Sequence, residues 1–149
     1  MGARREPRAR KRTRSKPKAA GSTYPVRVRT AESLRLIERV RKICMALPEA
    51  TEKISHGEPT WFAGKVFAML DDHHHDSPHV SLWLPAPFGA QETLIAADPK
   101  RFFRPPYVGH RGWIAVVLDT KPDWSMVAEL VEDAYREVAP PRLVALLDR

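Results

Sequence analysis

The chain has 149 residues, 43% of them hydrophobic, with 25 Lys and Arg against 18 Asp and Glu for a net charge of +7. That length suits one domain, no apolar run nears the ~20 residues that cross a bilayer, and a lone cysteine excludes an internal disulfide or a cysteine-clustered zinc site. The first thirty residues hold no hydrophobic segment, so no secretory signal is expected and the cytoplasm is the expected compartment.

The basicity is concentrated at the start. Residues 1–20 contain nine Lys or Arg (Arg4, Arg5, Arg8, Arg10, Lys11, Arg12, Arg14, Lys16 and Lys18) against Glu6 alone, leaving sixteen basic and seventeen acidic residues in 21–149. Those twenty residues have no aromatic and no apolar periodicity, and they contain Pro7 and Pro17. Too little apolar surface is available to offset the entropy of ordering. Residues 1–29 are therefore expected to form a disordered basic tail ahead of one domain, 30–149. A tethered polycation neutralises phosphates and gives salt-sensitive, sequence-independent affinity; the same run equally suits a solubilising extension.

Within the domain, Thr30 can cap a helix starting near Ala31. Its stripe is Leu34, Ile37, Val40, Cys44 and Leu47, with Glu38 and Lys42 as an i,i+4 pair, and Pro48 ends it. Cys44 on that stripe reads as a buried apolar side chain. The period then changes. Thr51–His56, Thr60–Phe62, Val66–Leu70 and Val80–Leu84 read as four strands, joined by short connections that only antiparallel neighbours allow. Ala90–Ala97 and Asp98–Phe103 read as short helical pieces, and Arg104–Gly112 as a loop. Trp113–Leu118 is a fifth strand. Asp123 can cap a last main helix with Trp124, Val127, Val131, Ala134, Tyr135 and Val138 on its apolar face; Pro140 and Pro141 stop it, and Arg142–Leu147 adds a short turn or two. The expected fold is α+β, a two-layer sandwich of a five-stranded, mainly antiparallel sheet with helices on one face.

Residues 99–118 hold Lys100, Arg101, Arg104 and Arg111 with no acid, interleaved with Phe102, Phe103, Tyr107, His110 and Trp113. Positive charge for phosphates, aromatic faces and a glycine-containing loop suit a nucleic-acid or anionic-ligand surface. Phe102, Phe103 and Trp113 equally suit the core. Lys53 and Lys65 flank the hairpin turns, where they could meet a duplex or simply guard a strand edge. His73, His74, His75, Asp76 and His79 offer metal-ligand chemistry, but adjacent residues of an extended loop point apart and no second element supplies a ligand. Adventitious Ni²⁺ or Zn²⁺ binding is expected there, and no dedicated metal site. His56 near Glu58 and His110 near Asp119 could be named as acid/base pairs, but neither belongs to a known nucleophile or metal motif, and no glycine-rich phosphate loop occurs. No catalytic residue, cofactor or enzymatic activity is expected.

Three segments together resemble the MmcQ/YjbR family: His56-Gly57-Glu58-Pro59-Thr60-Trp61-Phe62 into Gly64–Ala68, Arg101–Phe103 through Pro106–Ile114, and Asp119–Tyr135 with Pro122-Asp123-Trp124 opening the last helix. The likeness spans about residues 32–147. It implies a small α+β domain related to a double-wing DNA-binding fold and to the frataxin-like sandwich, in a family described as DNA-binding by analogy of fold, a warrant that does not itself establish activity. The basic tail lies outside the resemblance, and Ala134 stands where many relatives carry serine.

The sequence thus leads to a DNA-binding protein that uses its basic tail and a surface of Lys65, Lys100, Arg101, Arg104, Tyr107, His110 and Arg111, without catalysis and without a membrane partner. The alternative is a protein- or small-ligand-binding module, in which the Pro105–Trp113 groove serves and the tail is incidental. Oligomeric state and nucleic-acid target are not legible.

Overall fold

The computed structural model describes residues 28–149; residues 1–27, carrying nearly all of the expected basic tail, lie outside the described residues. The described chain leads into helix α1 (Ala31–Met45), which Thr30 caps by accepting from the Ser33 amide at 3.0 Å. Its buried face is Ser33, Ile37, Val40 and Cys44. Leu34, expected on that face, is exposed. Ser33 replaces it because its hydroxyl donates to Asp72 Oδ1 at 3.0 Å across the domain, which fixes the helix rotation. Glu38 does not pair with Lys42 as expected. It accepts from Arg41 at 2.7 Å, and Arg41 also grips Glu52 through Nε at 2.8 Å and Nη2 at 3.0 Å.

Strands β1 (Thr51–Ser55), β2 (Glu58–Ala63), β3 (Lys65–Asp72) and β4 (Val80–Leu84) form an antiparallel meander. Helix α2 (Ala90–Ala97) follows, then β5 (Phe102–Phe103), a 3₁₀ turn at Gly109–Arg111, β6 (Ile114–Val117), α3 (Trp124–Val138) and α4 (Pro141–Leu147). The sheet runs β1-β2-β3-β4-β6-β5, every neighbouring pair antiparallel. It therefore has six strands where five were expected. The sixth is β5, part of the segment read as helical. The Arg101 and Phe102 amides close a turn on the Asp98 carbonyl, and the chain then extends to pair Phe102 with Val116 and Phe103 with Ala115. Two residues are too few to show an alternating period.

Alternation along the central strands builds two cores. Val80, Leu82 and Leu84 of β4 and Ile114 and Val116 of β6 face α1 and α3, joining Ile37, Val40, Val127, Val131 and Tyr135. Trp83, Trp113 and Ala115 point to the other side, with Val66, Met69, Phe103 and Val108 against them. A register shift between Trp61 and Phe62 lets Phe67 join the helical side, where its ring meets Tyr135 edge-on at 5.4 Å. Asp123 caps α3, accepting from the amides of Ser125 and Met126 as expected. Tyr135 donates its hydroxyl to the Pro48 carbonyl at 2.7 Å, tying α3 to the end of α1. No described helix is long and apolar enough to cross a membrane.

Cys44 is wholly buried, and burial pushes its thiol well above the ordinary range, with Glu52 adding in the same direction. The thiolate is the reactive form. Cys44 is therefore expected to resist alkylation by a maleimide or a disulfide reagent at pH 8 until the domain unfolds. The labelling rate, followed through a urea series, should track global unfolding; rapid labelling in the absence of denaturant would contradict the packing described.

Candidate functional site

The sheet face turned away from α1 and α3 is only partly covered. Two segments cross it: the loop His73–His79 between β3 and β4, and the chain from Pro99 through Gly112 around β5. Between them lies a cleft of about 360 Å³. Trp83, Phe103 and Val117 supply apolar walls, while His74, His75, His79, Lys100 and Arg104 bring nitrogen. A second, open cleft adjoins it on the far side of Arg104, lined by Phe88, Gln91, Glu92, Gly109, His110 and Arg111 among others. Arg104 borders both.

The expected residues of this surface separate into three groups. Lys100, Arg104 and Arg111 are exposed, and none has an ion-pair partner among the described residues. The Arg111 guanidinium lies 5.6 Å from the Trp113 ring centroid, so this cation rests on an aromatic face. Tyr107 is 73% exposed, with its ring 5.1 Å from that of His75, and His110 is exposed beside Arg111 in the 3₁₀ turn. The three cations and His110 line the two clefts, and Tyr107 stands beside the first through His75. Arg101 is a second case: its Nε donates to Asp98 Oδ2 at 3.3 Å, and the side chain is only 30% exposed. Its charge is already partnered. Lys65 is the third. It sits at the start of β3, next to Gly64, which is packed by Pro140, and it lines neither cleft. Two strands, β4 and β6, separate β3 from β5. Lys53 is likewise distant on β1, its ammonium 5.5 Å from the Phe62 ring centroid. Phe102 and Trp113 are core, whereas Phe103 is half-buried and reaches the cleft.

Several residues that shape this face carry no sequence signal of their role. Gln91 is buried in α2 and donates from Nε2 to the Gly109 carbonyl at 2.8 Å and the Trp113 carbonyl at 2.6 Å. One side chain thus clamps both ends of the turn that carries His110 and Arg111. Gly109 leaves room for Arg104: a Cβ there would fall 2.5 Å from Arg104 Cγ and 2.9 Å from Nε. Phe88 is fully exposed at the mouth of the second cleft, an aromatic surface with no basic residue next to it in sequence to mark it.

The histidine loop departs from the expectation that its side chains diverge. His73, His75 and Asp76 all take positive φ, so the backbone coils instead of extending. The rings of His74 and His75 come to 4.5 Å centroid to centroid. His75 Nδ1 lies 3.2 Å from Oδ1 of Asp71, at the end of β3, so a second element does contribute. One donor atom from each of Asp71, His74 and His75 lies within 4.8 Å of the others. Burial holds the Asp71 carboxyl above its ordinary range; the His75 hydrogen bond and charge act against that rise, and Glu58 adds to it. The remaining histidines are engaged elsewhere, His73 with Asp72 Oδ1 at 2.7 Å and His79 with Asp119 Oδ1 at 3.0 Å. Asp119 thus serves His79 instead of His110, and His56 lies 3.1 Å from Ser55 Oγ.

A meander-based α+β sandwich, helices on one face and a basic-aromatic cleft on the other, defines the class. The family model of YjbR matches residues 45–137, and the chain belongs to the YjbR family. A solved Deinococcus radiodurans protein described by the DUF419 family model is similar in fold, with 19% identity, a TM-score of 0.60, and coverage of 75% of this chain and 87% of that one. No curated protein matches.

Proposed function

We propose that this YjbR domain binds nucleic acid, DNA in particular, through the face formed by Lys100, Arg104, Tyr107, His110 and Arg111, and that it does so without catalysis. The observation that carries this reading is the position of Arg104. It stands between two adjoining clefts, with Lys100 on one side and Arg111 on the other, and no carboxylate among the described residues pairs with any of the three. Unpaired cations spaced along a groove track a phosphate backbone. Exposed Tyr107 and Phe88 offer stacking faces beside them. Acidic charge is concentrated elsewhere: α3 carries Glu129, Glu132, Asp133 and Glu137 on the helical side of the sheet, whereas 99–118 has no acid and Glu92 is the one carboxylate in the lining of the two clefts. That polarity would orient the domain on a polyanion.

Within this reading, Arg101 and Lys65 contribute little, since one is paired and the other lies across the sheet. The basic residues of 1–20 add non-specific attraction. A second reading, a small anionic ligand, is favoured by the apolar walls that Trp83 and Phe103 give the first cleft.

Arg104→Ala should weaken duplex binding roughly three- to tenfold at low salt and lower the slope of log K against log salt by about 0.9, the share of one phosphate contact. Arg101→Ala should change either quantity far less. Gly109→Ala provides a test without loss of charge: the new methyl group displaces the Arg104 stem, so affinity should fall toward that of Arg104→Ala. Fluorescence anisotropy of a labelled duplex across a salt series measures all three. Equal effects of Arg101→Ala and Arg104→Ala would contradict the assignment, and saturable binding of a small phosphate ester that excludes DNA would favour the second reading.

A further inference from the structure

We propose that Asp71, His74 and His75 form a binding site for one divalent transition-metal ion of the zinc class, with an open coordination position facing the cleft. The inference is independent of the nucleic-acid reading. It begins with two unpartnered atoms: Asp71 Oδ2 and His74 Nδ1 are buried and have no hydrogen-bond partner. Asp71 is the more telling. Its side chain is 3% exposed, and His75 occupies only Oδ1. A buried carboxylate oxygen without a donor is costly, and so is a buried imidazole nitrogen. The two belong to one cluster, and one cation between them would serve both.

Chemistry and geometry agree on the class of ion. Two imidazoles and one carboxylate suit Zn²⁺, Co²⁺ or Ni²⁺ better than Mg²⁺ or Ca²⁺, which favour all-oxygen shells. The donor atoms lie within 4.8 Å of one another. The edge of a tetrahedron with 2.0–2.1 Å bonds is about 3.3 Å. Side-chain rotation in the coiled loop would close that difference, with Asp71 fixed on its strand as the anchor. Three protein ligands leave a position for water or an anion, as sites with exchangeable ligands do. His74 and His75 both line the 360 Å³ cleft, where Lys100 and Arg104 also stand, so an anion completing the shell would meet two further cations. The ring of Trp83, 5.7 Å from that of His75, and of Tyr107 at 5.1 Å flank the site and restrict the imidazole.

The test is isothermal titration calorimetry of zinc chloride into the full chain, stripped with chelator and free of any added histidine tag, with Co²⁺ absorption as a second readout. One Zn²⁺ per chain is expected. His74→Ala, His75→Ala and Asp71→Asn should each weaken binding at least about tenfold, His56→Ala should leave it unchanged, and Mg²⁺ should not compete. Co²⁺ should give the visible bands of a four- or five-coordinate complex, lost in His75→Ala. Should Asp71→Asn fail to fold, the two loop variants decide the matter, since neither side chain belongs to the core. Several weak equivalents of zinc per chain, or affinity unchanged by His74→Ala and His75→Ala, would overturn the proposal.

Discussion

Asp72→Ala should destabilise the domain by about 2–4 kcal/mol, because Arg29 and Ser33 lose their buried acceptor and Arg29 is left with the longer Glu58 contact. Asp72 is 4% exposed in its side chain, and its carboxylate accepts from Arg29 Nη1 at 2.9 Å and from the Ser33 hydroxyl at 3.0 Å. Arg29 reaches further, donating from Nη2 to the Gly57 carbonyl at 3.0 Å and to Glu58 Oε1 at 3.4 Å. Glu58 in turn accepts from the Asp72 amide at 2.7 Å. Although burial alone would raise the Asp72 carboxyl, the hydrogen bonds from His73, Arg29 and Ser33 and the Arg29 charge bring it below the ordinary carboxylate range. The ionised form is thus what the fold uses. This network fastens the entry to α1 onto β2 and β3, so Arg29, at the end of the expected tail, is docked on the domain. Urea unfolding should show a lower midpoint at unchanged slope. A loss under about 1 kcal/mol would mean the pair behaves like a solvated surface bridge.

The second large effect is expected at Gln91. Gln91→Ala removes both donors from the Gly109 and Trp113 carbonyls, and each unsatisfied buried group costs about 1–3 kcal/mol. A total loss of roughly 2–4 kcal/mol follows, larger than for any exposed residue of the same helix. The functional consequence differs from that of Asp72→Ala. With the clamp gone, the 3₁₀ turn bearing His110 and Arg111 loses its position relative to Arg104, so DNA affinity should fall beyond what the unfolded fraction explains. Thr93→Ala, two residues on, exposed and lining neither cleft, serves as the control and should do neither. Amide hydrogen exchange of 109–113 provides the direct readout. Unchanged protection there in Gln91→Ala would show that the turn is held by other contacts.

Asp72 and Gln91 also mark where the amino-acid sequence stops being legible. The caps Thr30 and Asp123, and the apolar periods that follow them, announce α1 and α3 because the physics of a helix end is local. The runs in β3, β4 and β6 are legible for the same reason. What escapes depends on partners distant in sequence. Ser33 supplants Leu34 on the buried face only because Asp72, 39 residues later, accepts its hydroxyl. Gln91 acts on main-chain carbonyls 18 and 22 residues ahead, and main-chain groups have no sequence signature.

The surface itself is partly legible. The acid-free run 99–118 is visible in the sequence, and its Lys100, Arg104, His110 and Arg111 line one pair of clefts, with Tyr107 beside them. Composition cannot show that Arg101 turns back to Asp98 three residues earlier, or that Lys65 sits on a different part of the sheet. The histidine run is visible, but its geometry depends on positive φ at three non-glycine residues, a conformation local sequence disfavours. Asp71, the carboxylate that completes the cluster, reads only as the first residue of a polar loop after Leu70, whereas β3 in fact runs on through Asp72.

The measurement that bears most directly on the central claim is anisotropy of a labelled DNA duplex with the full chain and with a chain lacking residues 1–22, at low and moderate salt. The expected result is that the shortened chain still binds, more weakly and with a shallower salt slope, and that Arg104→Ala in the shortened chain removes most of what remains. Binding by the full chain alone would contradict it, assigning all affinity to a generic polycation and leaving the cleft to another ligand.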